Sequence, residues 1–197
     1  MNGLLFLTGE DFSVRDGTKG TILCHNIKGF SLILFYSTNC EHCTTFIPIF
    51  KELPGTINGC QFGMANALLK SRGRDGNKVT IVNMAKDTIA PIQYVPYVVL
   101  YIDGKPFMRY NGPQNAGEIM RFIVEVSKKV ATKEQFSKDV VKTTDRGIPS
   151  YCLGKPLYGC EHGVCYLPQD EAYTPLKNWF WGLRSVEKQN EQLSSLW

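Results

Sequence analysis

The chain of 197 residues carries 22 basic and 18 acidic side chains, a net charge of +4, with 43% apolar and 20% charged content. A chain of this size can bury a full core and its composition is that of an ordinary globular protein, which gives no indication of a disordered chain and offers no broad basic face for nucleic acid. The longest apolar runs, such as 95–102, fall far short of the roughly 18 residues that a membrane-spanning helix requires, so no membrane partner is expected.

The opening Met1-Asn2-Gly3-Leu4-Leu5-Phe6-Leu7 has no basic flank and an apolar core of four residues, too short for a signal peptide. The seven cysteines are an odd number and spell no disulfide scaffold. Together these predict a reducing, cytoplasmic setting. Leu4 to Leu7 reads as a first strand, Gly20 to Lys28 as a short helix or irregular crossover, and Phe30 to Ser37 as a central strand. Glu41 to Leu53 follows as a helix kinked at Pro48 and stopped by Pro54-Gly55.

Where that strand meets that helix stands Cys40-Glu41-His42-Cys43. Two intervening residues bring the sulfurs within reach across one turn, and the unpaired N–H groups and positive dipole end of a helix stabilise a thiolate on the first. Cys40 is therefore the expected nucleophile. Cys43, one turn further in, is the expected resolving thiol, placed to attack a mixed disulfide on Cys40 and close a redox-active Cys40–Cys43 disulfide without any other cofactor. A protonated His42 favours the thiolate and Glu41 raises the Cys40 pKa again, which predicts an intermediate redox poise. Two plainer readings stand beside this: half of a zinc site, which needs two further ligands, or a pair of merely buried thiols.

Further along, both 60–66 and 79–84 can supply a strand, and residues 78–84 are ambiguous between strand and helix. The loop 70–78 contains four basic residues without interleaved aromatics and reads as a solvated surface. Tyr97 to Ile102, a turn at Asp103-Gly104 and Pro106 to Tyr110 predict a hairpin. A last helix from about Asn115 places Ile119, Ile123, Val126 and Val130 on one face, which should pack on the sheet.

The stretch Phe35-Tyr36-Ser37-Thr38-Asn39-Cys40-Glu41-His42-Cys43, with Pro48 five residues on, resembles the active-site strand and kinked helix of thioredoxins and protein disulfide isomerases. The segment from Tyr94-Val95-Pro96-Tyr97 to Gly104-Lys105-Pro106 is similar to that family's cis-proline strand and following hairpin, and Tyr110-Asn111-Gly112 to the bulge before its last helix. The resemblance covers about residues 1–130. It implies an α/β thioredoxin fold, a central mixed β-sheet flanked by helices, for 1–130, with 131–197 as a C-terminal extension. It implies further that Val95–Pro96 is cis, faces the dithiol, and that the Val95 backbone pairs with an extended substrate peptide. A plain edge-strand or turn proline is the alternative for Pro96. Two departures stand out: the family's buried carboxylate six residues before the first cysteine is replaced by Leu34, and the aromatic residue before that cysteine by Asn39. Without the acid, Cys43 should deprotonate slowly and mixed disulfides should persist.

The extension holds a second cluster, Cys152, Cys160, His162 and Cys165, whose spacings match no strong zinc pattern. Zinc, a disulfide or relay with the active site, and ordinary loop cysteines all stay open. Thr174 and Pro175 open an expected helix whose face of Leu176, Trp179, Phe180, Leu183 and Val186 can dock on the body, self-associate or hold a partner. The extension and the 94–110 segment also resemble thioredoxin-like proteins of large cytoplasmic DNA viruses, which implies a virion or its assembly as the setting. The favoured expectation is a protein thiol–disulfide oxidoreductase acting on cysteine-bearing proteins, with a thiol electron donor or acceptor. The alternatives are a weakly active thioredoxin-like binding or assembly module and a zinc-stabilised interaction protein.

Overall fold

The computed structural model describes residues 3–72, 76–133, 141–142, 150–151 and 165–166. In chain order these give β1 (Leu4–Leu7), a 3-10 turn (Gly9–Asp11), β2 (Phe12–Gly17), β3 (Gly20–His25), β4 (Phe30–Tyr36) and α1 (Glu41–Lys51). Next come β5 (Cys60–Asn66), β6 (Ser71–Arg72), β7 (Lys78–Val79), α2 (Ile81–Ala85), β8 (Tyr94–Val95), β9 (Tyr97–Ile102), β10 (Lys105–Tyr110) and α3 (Ala116–Thr132). Three two-residue strands follow, β11 (Val141–Lys142), β12 (Ser150–Tyr151) and β13 (Cys165–Tyr166).

The main sheet runs β1-β5-β4-β9-β10-β12-β11. Strands β1, β5 and β4 are mutually parallel, β9 lies antiparallel to β4, and β10 antiparallel to β9. A parallel β1-β5-β4 unit with an antiparallel β9–β10 hairpin on the other side of β4 is the thioredoxin fold. It is a mixed α/β sheet with helices packed on it, as the resemblance implied. Beyond the hairpin, β12 adds parallel to β10 and β11 antiparallel to β12.

The central position of β4 follows from its composition. Ser31 to Phe35 are buried on both faces, which only a strand covered above and below tolerates. Its residues alternate between two cores: Ile33 and Phe35 face one with Val95, Tyr97, Val99 and Tyr101, whereas Leu32 and Leu34 face the other with residues of α1 and α3. Phe46 and Phe50 of α1 and Phe62 of β5 stack edge-on in that second core at 6.1 Å between successive rings. Each such side chain contributes about 1.5–3 kcal/mol on burial. In α3, Ile119, Ile123 and Val126 are buried as the periodicity predicted, and Asn115 caps the helix by accepting the Glu118 N–H at 2.9 Å.

One expectation is overturned and one open choice is resolved. In the segment read as a helix or crossover over 20–28, residues 20–25 are instead the second strand of the β2–β3 hairpin, paired from Phe12↔His25 to Gly17↔Gly20. Glycine on both sides of Thr18-Lys19 lets the chain reverse in two residues, and an added Cβ at Gly17 would meet the Gly20 carbonyl at 2.9 Å. Of the two candidates for a strand, 60–66 is the one in the sheet, because it pairs with both β1 and β4, while 81–85 is the short helix α2. The α1 helix continues through Pro48, whose ring is exposed. The turn at Asp103-Gly104 forms as predicted, both residues having positive φ of 49° and 74°. Residues 73–75 of the basic loop, and the predicted helix opening at Thr174, lie outside the described residues. Among the described residues no helix is long and apolar enough to cross a membrane.

Candidate active site

Strand β4 ends at Tyr36, and Ser37 turns the chain toward α1: its carbonyl accepts the Cys40 N–H at 3.3 Å and its hydroxyl the Asn39 N–H at 3.3 Å. Cys40 then occupies the N-cap of α1 in an extended conformation, φ −104° and ψ 113°. Its sulfur takes the place that a serine or aspartate oxygen usually holds, accepting the Cys43 N–H at 3.1 Å. A hydrogen bond from a helix's first turn onto a sulfur favours the thiolate over the thiol. The Cys40 thiol in turn lies 3.6 Å from the Val95 carbonyl.

That carbonyl belongs to the residue before Pro96, and the Val95–Pro96 peptide bond is cis. Sequence positions 40, 43 and 95 are thus brought together in one buried cluster. Cys40 is 2% exposed and Cys43 fully buried. Their neighbours Thr38, Asn39, Glu41 and His42 are all exposed, so the two residues expected to tune the sulfur sit on the solvent side of the first turn. Leu34 is fully buried, but in the other core, with Phe46 and Phe50.

The segment around Pro96 is held by an interaction that the sequence did not announce. Arg109 of β10 lies 5.6 Å from the Tyr94 ring centre and 5.7 Å from that of Tyr97, and donates a hydrogen bond to the Tyr94 hydroxyl. The two rings meet edge to face at 5.3 Å. A guanidinium over two aromatic faces fixes both flanks of the Val95–Pro96 pair. Nothing in the run 105–110 marks Arg109 for this contact, and the register shift between Pro106 and Met108 breaks the simple alternation that would assign its face.

A second polar feature, His25, also escaped the sequence reading. It is 3% exposed, its ring lies 4.4 Å from that of Tyr101, and its Nδ1 accepts the Ile27 N–H at 3.1 Å. The proton therefore sits on Nε2, which points to the Ser31 hydroxyl at 3.3 Å. Burial depresses its pKa to about 4, Asp11 opposing weakly.

The remaining described thiols are of another kind. Burial pushes Cys60 up to about 12, against a backbone hydrogen bond with Leu32, and raises Cys24 despite Arg15 and Lys105 nearby. Among the described residues no group of three or more His, Cys, Asp or Glu side chains stands together to hold a metal. Of the C-terminal cluster, Cys152, Cys160 and His162 lie outside the described residues, while Cys165 is seen through the backbone of β13, paired with β8.

No protein-family model matches the chain. Among solved structures, human ERp44 (form I) aligns with a TM-score of 0.40 at 18% identity over 51% of this chain, and the first two thioredoxin domains of Naumovozyma dairenensis Eps1p with 0.37 at 19% over 48%. This chain spans only 25% and 33% of those two chains. "Uncharacterized protein 196R" of Invertebrate iridescent virus 6 is 32% identical over 184 residues, covering 88% of this chain and 95% of the relative. "Uncharacterized protein 020R" of Invertebrate iridescent virus 3 is 30% identical over 173 residues, covering 87% and 96%. Identity at that level over nearly the whole of both chains establishes the kinship: the chain belongs to the family of the invertebrate iridescent virus proteins 196R and 020R.

Proposed function

We propose that the chain is a protein thiol–disulfide oxidoreductase with Cys40 as nucleophile and Cys43 as resolving thiol. The observation that carries this reading is the Cys40 sulfur, capped by the Cys43 N–H at 3.1 Å and set 3.6 Å from the Val95 carbonyl beside Pro96. The Cys40 thiolate attacks a disulfide of an extended protein segment, forming a mixed disulfide and releasing one substrate sulfur as thiolate. Cys43 then attacks Cys40, the Cys40–Cys43 bond forms, and the second substrate sulfur leaves; two electrons have passed to the substrate. Run backwards, the same steps oxidise a substrate dithiol. Val95 supplies backbone pairing for the incoming segment, and Glu41 and His42 bias the Cys40 ionisation from the exposed side of the turn. A thiol of another molecule restores the centre, and no further cofactor is required. In this reading residues 1–130 are the catalytic body and 131–197 an extension. The setting is the cytoplasm of an infected cell or the virion, in keeping with the viral relatives.

The test is reduction of insulin disulfides by dithiothreitol. The intact chain accelerates precipitation and Cys40→Ser abolishes the effect; equal rates with the two proteins defeat the proposal. A second reading, a binding module with a weak dithiol, draws on the buried apolar Leu34 and the 2% exposure of Cys40. It is favoured if insulin reduction is negligible while a Cys40→Ser/Cys43→Ser protein still retains the partners of the parent.

A further inference from the structure

An extended substrate adds to a sheet edge through backbone ladder bonds, and the edge beside Pro96 is β8. In this chain that edge is already taken. Strand β13 pairs antiparallel with β8 in the register Cys165↔Val95 and Tyr166↔Tyr94. The residue opposite Val95 is a cysteine, and Val95 is the residue whose carbonyl faces the Cys40 thiol at 3.6 Å.

Directly opposed residues of an antiparallel ladder stand about 4.5–5.5 Å apart between Cα atoms and share a face of the ladder. Val95 lies in the cluster that contains Cys40 and Cys43. The register therefore brings Cys165 to the position that the reacting cysteine of a docked substrate would occupy. An independent observation agrees: Cys40 is 2% exposed although the residues on either side of it are exposed, so a protein substrate meets the sulfur only after something lifts away.

We propose that Cys165 is an intramolecular substrate of the Cys40–Cys43 centre, carried on a strand that occupies the docking edge. The inference rests on the oxidoreductase reading and names the first partner of that site. In the exchange, the Cys165 thiolate attacks the Cys40 sulfur of the Cys40–Cys43 disulfide. The Cys40–Cys165 bond forms, the Cys40–Cys43 bond breaks, and Cys43 leaves as a thiolate that takes up the proton lost from Cys165. The step is an isomerisation with no net oxidation, and Cys43 reverses it by attacking Cys40. An external protein competes with the chain's own strand for the same edge.

The full-length Cys43→Ser chain tests this in a glutathione redox buffer of about 0.1 mM. Cys40 first takes up glutathione, and Cys165 then displaces it. A tethered thiol acts at millimolar or higher effective concentration, so after quenching and non-reducing peptide mapping the Cys40–Cys165 link should exceed Cys40–glutathione by about tenfold or more. Cys40 found chiefly on glutathione, or linked to Cys24, Cys60, Cys152 or Cys160 instead, overturns the proposal. Tyr166→Pro, made with every cysteine in place, puts a residue that breaks strand pairing into the two-residue β13; the rate at which a bulky maleimide labels Cys40 should rise about tenfold, and an unchanged rate overturns the proposal independently. The two readings fail differently. Absence of Cys40–Cys43 from the oxidised parent chain sinks the oxidoreductase, whereas a parent that forms it and turns over while Cys43→Ser yields no Cys40–Cys165 sinks only the internal substrate.

Discussion

Acidification should destabilise this protein through one imidazole. His25 is 3% exposed and its Nδ1 accepts the Ile27 N–H at 3.1 Å, a bond that protonation abolishes. Its pKa is lowered from 6.5 to about 4 by burial, with Asp11 opposing. Because the folded value lies below the unfolded one, the unfolded chain binds the extra proton first. The stability tied to neutral His25 is complete above pH 6.5, falls as the pH drops toward 4, and is fully lost below that. The gap corresponds to about 3 kcal/mol in all, of which about 2 kcal/mol is gone by pH 5. Urea denaturation of the parent and of His25→Gln at pH 7.5 and pH 5 measures it. Carboxylates titrating near pH 5 affect both proteins alike, so the parent should lose about 2 kcal/mol more than the variant over this interval. Equal losses in the two proteins refute the buried neutral imidazole.

Other outcomes follow from the same geometry. Leu34→Asp puts a carboxylate into a fully buried apolar position and should cost about 4 kcal/mol or more at neutral pH by urea melts, with a smaller cost at pH 4. Where that variant folds, insulin reduction should be faster than in the parent; no gain counts against a role for the missing acid. Cys60, held up at about 12, should react with iodoacetamide about a thousandfold more slowly than an open thiol near 9, and Cys24 should also resist until urea unfolds the chain, as peptide mapping would show. Arg109→Ala strips the cation from the Tyr94 and Tyr97 rings and should destabilise by about 1–2 kcal/mol while raising the KM for insulin more than it lowers kcat. A kcat loss alone would place Arg109 outside the docking segment.

What the sequence disclosed was local. The cysteines at a helix N-cap, the Asp103-Gly104 turn and the one-sided face of α3 are each specified by residues within a few positions of one another, and each is where the pattern put it. Features decided by distant partners were hidden. The choice between 60–66 and 79–84 as a strand rested on pairing with β1 and β4, which no window of sequence contains. The β2–β3 hairpin was missed because its turn, Thr18-Lys19, lacks the Asn-Gly or Asp-Gly signature, although Gly17 and Gly20 flank it. His25 and Arg109 acquire their roles from Ser31, Ile27, Tyr94 and Tyr97 only after folding. The register of Cys165 on Val95 spans 70 residues of sequence, and nothing at position 165 alone marks it.

The most direct measurement is the reduction potential of the Cys40–Cys43 pair, taken by equilibrating the intact chain in dithiothreitol and glutathione buffers and counting the disulfide by mass after alkylation. A two-electron transition with a midpoint between about −270 mV, the thioredoxin range, and about −180 mV, the isomerase range, is the predicted result. A Cys40 that stays alkylatable as a lone thiol across that whole range, with no bond to Cys43 at any potential, contradicts the account.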